Sequence, residues 1–182
     1  MREKRAPVPD VVDDIMDAWR AQDPAVANVP AELSKRIARL ESLLDAATDR
    51  ALAPFGFQKA EFGALSVLRR MGQLKPNELT RALLISQGGT SNVLRRLEQA
   101  RLVERRVDPN DQRSSWVRLT REGVQVTDQA VRVYTEAQAE FFRPVSERTA
   151  RDVADLLREV LVAVGDASPR TIAAQVRRPR RS

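Results

Sequence analysis

The chain has 182 residues, a net charge of +6, 42% hydrophobic but only 4% aromatic residues, and neither Cys nor His. That suits one domain of ordinary size with added arms. It excludes disulfides, thiol redox sensing and Cys-ligated zinc, and it removes the commonest general base and metal ligand. No apolar run approaches the ~18 residues of a membrane span, and the charged N-terminus leads into no apolar segment. A cytoplasmic protein with no membrane partner, metal or cofactor is expected.

The first predicted element is a short helix over 8–21, in an N-terminal arm of residues 1–30. Val11, Val12, Ile15, Met16 and Trp19 share one face, with Asp10, Asp13, Asp14 and Asp17 elsewhere. Such a stripe must pack on the body or on a second subunit. Residues 21–30, with Pro24 and Pro30, form a connector. From Ala31 to Phe55 the helical period is strong: Ile37, Leu40, Leu44, Ala47, Ala51 and Phe55 step by three and four. Residues 58–71 predict another helix, with Phe62, Leu65, Leu68 and Met71 inward. Pro76 suits the first position of a short helix reaching Leu84.

Ser86 is a good N-cap for the next helix, in which Val93, Leu94 and Leu97 lie on one face. Gln87, Thr90, Ser91, Asn92, Arg95 and Arg96 are left mostly on the other. Glycine costs a helix about 1 kcal/mol relative to alanine, so Gly88 and Gly89 in the first turn need a reason. Either a bare backbone at the positive helix end approaches a phosphate, or the glycines pack closely against a neighbouring helix. The period then changes to two. Val103, Arg105 and Val107 alternate with Glu104 and Arg106, and Trp116 and Arg118 alternate with Val117 and Leu119. Between them Asp108 to Arg113 is rich in turn formers. Trp116 is assigned to packing at the base of this hairpin.

Thr120 is placed to cap a long helix to about Phe142, with Val124, Val131, Tyr134 and Phe141 on one side. Pro144 ends it, and a last helix from Ser146 to Val164 carries Val153, Leu156, Leu157, Val160 and Leu161. These helices hold more apolar surface than a small lobe covers, and pairing with residues 31–55 of a second copy would bury it, so a homodimer is expected. Residues 166–182 form a basic tail whose Pro and like charge argue for disorder.

Charge follows this layout. Residues 68–121 carry +7 and residues 170–182 carry +5, so the rest of the chain is at −6. A mildly acidic body presenting one basic module suits a protein that binds duplex DNA through its phosphates. A helix-turn-helix over 76–100 followed by a hairpin over 102–119 is the winged form of that motif. The fold class is therefore mainly α with a small β-hairpin wing. The helix is suited to a major groove, where Asn92 and Gln87 match adenine and Arg95 or Arg96 matches guanine. Ser86, Gln87, Gly88, Gly89, Thr90 and Ser91 would meet phosphates or base edges at the helix start. One of Arg95 and Arg96 is free to pair instead with Glu98 or Glu104. Arg113 at the wing tip is the candidate for the minor groove.

The stretch from Ser86 to Thr120, with RRLEQARLVERRVDPNDQRSSWVRLT, resembles the recognition helix and wing of the MarR family of transcriptional regulators. The likeness extends over residues 31–165. It departs in two places. Arg101 stands where the family usually has the Gly that ends the recognition helix in left-handed geometry. Gln112 precedes Arg113 where the family often has two arginines. The resemblance implies that Asp111 holds the Arg113 guanidinium, that the terminal helices form a dimer interface, and that double-stranded DNA with an inverted repeat is the partner. It also implies a repressor whose DNA affinity falls when a small aromatic or anionic effector enters between the dimer helices and the winged lobe. Trp19, Phe55, Phe57, Phe62, Leu65 and Met71 are the candidates to line that cleft, with Arg69 or Arg70 for an anion. The arm with Trp19 is similar to that of the family's urate-responsive branch. Gly63 stands where that branch has an acidic residue, which argues against urate.

An enzyme is disfavoured. No paired carboxylates stand in a recognisable frame, no phosphate loop exists, and most nucleophile–base sets need His or Cys. The competing alternative is a winged-helix protein-interaction module without specific DNA binding, and the polar recognition face argues against it.

Overall fold

The computed structural model describes residues 8–108 and 111–166, with side chains for all of these except 108 and 111–114. The chain divides after Gln138 into two units.

In the first unit, α1 (Val11–Gln22) opens on a capping box. The Asp10 carboxylate accepts from Val12 N at 2.7 Å and Asp13 N at 3.1 Å, and the Asp13 carboxylate accepts from Asp10 N at 2.8 Å. Val12 and Met16 are buried, and Arg36 of α2 (Val29–Leu52) donates to Asp10 at 3.0 Å and Asp13 at 2.6 Å. The arm thus packs on its own body. Pro30, expected in the connector, sits in the first turn of α2, where no N–H is needed. Of α2 only Thr48 and Leu52 are buried; Leu33, Ile37, Leu40 and Leu43 stand open.

After a 3-10 turn at Ala53–Phe55, α3 (Lys59–Met71) sends Phe62, Leu65 and Leu68 inward as expected. Met71 does not follow them. It is the last residue of the helix, where the chain leaves the core through Gly72 at φ 82, and it is 63% exposed. The core continues through Leu79 of α4 (Pro76–Leu83), through Val93, Leu94 and Leu97 of α5 (Gln87–Gln99), and into the sheet at Leu102, Val103 and Val117.

Strand β2 (Val103–Asp108) pairs antiparallel with β3 (Asp111–Leu119), Val103 opposite Leu119 and Arg105 opposite Val117, with a register irregularity at Val107/Asp108. The second strand begins within the stretch expected to be turn. A third strand, β1 (Gln73–Leu74), joins the far side of β3. Two residues are too few to show a period, so it was not foreseen.

Thr120 caps α6 (Arg121–Phe142): its hydroxyl accepts from Gly123 N at 2.9 Å and donates to Arg101 O at 2.8 Å. The buried positions of α6 are the small ones, Gly123, Thr127 and Ala130, while Val124, Val131 and Tyr134 are only half-buried. A Cβ on Gly123 would lie 1.9 Å from Leu102 O, so only glycine lets the helix seat on the turn before the wing.

In the second unit α7 (Glu147–Ala163) is capped by Ser146, whose hydroxyl accepts from Thr149 N at 3.1 Å. None of its residues is buried, and Val153, Leu156, Leu161 and Val162 are exposed. Among the described residues no helix is long and apolar enough to cross a membrane.

Candidate nucleic-acid interface

The helix α5 is anchored from behind and bare in front. Ser86 Oγ accepts from Gly89 N at 3.1 Å, which leaves the N–H groups of Gln87 and Gly88 at the open, positive end of the helix. A Cβ on Gly88 would meet nothing nearer than Ser86 Oγ at 4.0 Å, and one on Gly89 would press on Ser86 Oγ at 3.3 Å and meet Ile85 at 3.6 Å. The packing explanation therefore falls for Gly88, while Gly89 lies close against the turn before the helix. Ser86, Gln87, Gly88, Ser91, Asn92 and Arg95 are exposed together and Gly89 is half-exposed. Arg95 donates only to Asn92 Oδ1, at 3.3 Å, and forms no ion pair among the described residues.

Of the residues expected on that face, one is buried and another, though exposed, is paired with the scaffold. Thr90 is 2% exposed; its hydroxyl donates to Ser86 O at 3.2 Å and accepts from Thr80 Oγ1 at 2.8 Å. It pins α5 to α4 and faces no solvent. Arg96 puts Nε 2.5 Å from the Glu61 carboxylate of α3. The carboxylates expected to take an arginine of this helix have other partners. Arg105 takes Glu98 at 2.5 Å, and Arg118 and Arg106 take Glu104. The Arg118 guanidinium holds the Glu104 carboxyl below its ordinary pKa.

The helix ends as the family's glycine would end it, although the residue is Arg101. Its φ is 58, Arg101 N donates to Glu98 O at 3.0 Å, and Leu102 N donates to Leu97 O at 2.9 Å. This is a Schellman closure, and the buried Leu97 and Leu102 supply its apolar contact. The geometry is kept at a cost in backbone strain.

In the wing, Lys75 Nζ lies 5.1 Å above the ring of Trp116, a cation–π contact at the hairpin base. The side chains of Asp111 and Arg113 lie outside the described residues, as does the tail from 167. Sequence reasoning missed Arg81, exposed on α4 and without an ion pair among the described residues. The first helix of such a motif crosses the DNA backbone, and a lone cation on it was the available signal.

A cavity of about 750 Å³ opens between α2, α3, α6 and the end of α4. Of the residues expected to line a ligand cleft, Phe62, Arg69 and Arg70 border this cavity. Leu65 is fully buried in the core, Met71 points away at the helix end, and Trp19 stands on α1 outside the lining. Phe55 and Phe57 stack at 5.9 Å and border a separate, smaller cleft behind α5. Arg69 is already held by Asp128 at 2.7 and 3.2 Å, a pair that depresses the Asp128 pKa. Arg70 at this wall donates to Ser66 O at 3.3 Å and has no ion pair among the described residues. Gly63 also lines the cavity, and a Cβ there would press on Leu83 at 3.2 Å.

A helix-turn-helix whose second helix shows amide, hydroxyl and guanidinium groups to solvent, followed by a sheet-based wing, defines a winged helix-turn-helix DNA-binding protein. The family model described as MarR family matches residues 55–114. The HTH-type transcriptional regulator PecS of Dickeya dadantii is 30% identical over 152 residues, 82% of this chain and 92% of PecS. Wild-type MarR of E. coli superposes with a TM-score of 0.63 at 26% identity, covering 71% of this chain and 96% of that one. A mutant MarR from E. coli complexed with operator DNA gives 0.67 at 24% identity, covering 84% and 99%. The chain belongs to the MarR family of transcriptional regulators, which act by binding DNA and not as enzymes.

Proposed function

We propose that the protein is a homodimeric, sequence-specific repressor of transcription whose DNA affinity is modulated by a small aromatic or anionic ligand. The observation that carries the DNA reading is the exposed cluster Gln87, Ser91, Asn92 and Arg95 beside the open backbone of Gly88. Asn92 and Gln87 read adenine and Arg95 reads guanine. Arg113, oriented by Asp111, enters the flanking minor groove. The solved MarR–operator complex shares this fold. Two copies pair through the apolar faces that each chain leaves bare on α7 and on the first half of α2. Their recognition helices then meet an inverted repeat with half-sites about 34–36 Å apart. The cavity bordered by Phe62, Arg69 and Arg70 has the size of a small-molecule site and reaches Leu83 and Ile85, next to the N-cap of α5.

The test is duplex binding at two salt concentrations together with sedimentation. A steep loss of affinity with salt and a mass near twice 20.4 kDa are expected. A flat response would favour a protein-interaction module, and a stable monomer would remove the half-site argument. Benzoate added to the DNA complex tests the ligand reading: release in the parent and not in Arg70→Ala supports an anion at the cavity mouth.

A further inference from the structure

Arg96 is adjacent in sequence to the exposed Arg95, yet it is tied to the scaffold. Its partner Glu61 is a carboxylate only 5% exposed at the start of α3. The second oxygen of Glu61 accepts from Gln58 N at 2.9 Å and completes the α3 capping box. One buried side chain thus joins the first turn of α3 to the third turn of α5. Phe55, Phe57, Leu97, Leu102 and Val126 border the pair, and apolar neighbours strengthen a charge contact. At 100° per residue Arg96 lies between the exposed Asn92 and the buried Val93. The core stripe of Val93, Leu94 and Leu97 resists separation of α5 from the lobe but resists its rotation less, because apolar contact is not directional. An ion pair at the edge of that stripe, although Glu61 Oε1 takes no hydrogen bond, opposes that rotation by holding the two charges together.

We propose that Glu61 and Arg96 are positioning residues for DNA reading, the pair setting the rotation of α5 and hence the direction in which Gln87, Asn92 and Arg95 leave it. This rests on the reading of α5 as the DNA-facing helix, and a flat salt response of the parent protein would remove that reading separately.

The decisive variant is Glu61→Gln in the full chain, assayed by fluorescence anisotropy on a duplex selected from a random-sequence pool. Glutamine keeps an acceptor for Gln58 N and removes the charge. Glu61 is too deep to touch DNA, so the two roles of Arg96 predict opposite signs. If Arg96 itself contacts DNA, releasing it from the carboxylate leaves affinity unchanged or raises it. If it acts through Glu61, affinity falls by between about three-fold and thirty-fold, in the range of residues that act without touching the ligand. The slope of log affinity against log salt then stays that of the parent, because no phosphate contact is lost. Arg96→Ala gives the same loss, and the double variant loses no more than either single one. Binding of Glu61→Gln at or above parental affinity overturns the proposal. So does a drop of about one unit in the salt slope of Arg96→Ala. Should Glu61→Gln fail to fold, the slope measured for Arg96→Ala decides alone.

Discussion

Substituting Gly88 by Ala adds one methyl group to the open end of α5, and it moves stability and function in opposite directions. Nothing lies within reach of that methyl except Ser86 Oγ at 4.0 Å, so the fold has no clash to relieve. Alanine is favoured over glycine in a helix by about 1 kcal/mol. For a chain of this length that raises the melting temperature by about 2–4 °C. On DNA the same methyl stands where a phosphate oxygen must approach the N–H groups of Gln87 and Gly88. A hydrogen bond to a charged group contributes about 1.5–3 kcal/mol. At 1.4 kcal/mol per factor of ten its loss weakens binding by about 10- to 150-fold. The loss is shared by all sequences, because phosphates carry no base identity. Thermal melts followed by circular dichroism, and anisotropy titrations on a selected and a scrambled duplex, measure both arms. A variant that melts higher and binds both duplexes like the parent would refute the phosphate explanation of the glycine pair.

Asn92→Ala relaxes base preference at one position per half-site by about 1–3 kcal/mol, read by competition among single-base variants of the site; an unchanged preference dismisses Asn92 as a reader. Arg101→Gly relieves the left-handed strain at φ 58 and stabilises the fold by about 1 kcal/mol, seen as a higher urea midpoint; a lower midpoint contradicts it. Gly123→Ala forces α6 off Leu102 O and destabilises by about 1–3 kcal/mol, because the clash at 1.9 Å is with backbone and cannot be relieved by a rotamer; a parental melting temperature refutes it. Arg36 holds the Asp10 carboxyl below its ordinary pKa. In the fold this group stays charged at pH values where the unfolded chain already binds a proton. Its contribution is therefore complete above the ordinary carboxylate pKa and is lost as pH falls through the lowered value. Arg36→Ala raises the Asp10 midpoint towards the ordinary range in an NMR titration, the cap hydrogen bonds from Val12 and Asp13 N–H keeping part of the lowering; an unmoved midpoint rejects the pairing.

The order of helices, the wing and the recognition helix were legible because each has a strong local signature: apolar residues at three and four, a Ser N-cap, then a switch to period two. Thr90 and Arg96 were not legible. Periodicity separates a core stripe from the rest of a helix, and both residues lie beside that stripe, where distant partners decide. Thr80 is ten residues away from Thr90 and Glu61 is thirty-five from Arg96, and no spacing rule connects them. Trp19, Leu65 and Met71 stand outside the cavity lining for a related reason. Aromatic residues were grouped by type, but the cavity wall is chosen by which face of α3 meets α2 and α6. That brings in Ser66, Tyr134 and Gln138 and leaves Trp19 and Met71 out.

Thr90, which is buried, and Arg96, which is paired with Glu61, bear on how the helix is held. A base-reading helix must hold its side chains to within a fraction of an ångström while its front is left empty for DNA, so its rigidity has to come from behind and from its ends. Here the start is closed by Ser86 on Gly89, the first turn is pinned by Thr90 to Thr80, the third by Arg96 to Glu61, and the end by the turn at Arg101. The first is the helix's own cap, and the other three reach α4, α3 and the turn leading into the wing in that order. Of the remaining polar side chains of α5, Gln87, Ser91, Asn92, Arg95 and Gln99 are exposed and Glu98 is paired with Arg105. The polar side chains of the helix thus differ in what holds them more than in residue type: of two adjacent, exposed arginines one is paired with a buried carboxylate and the other forms no ion pair among the described residues.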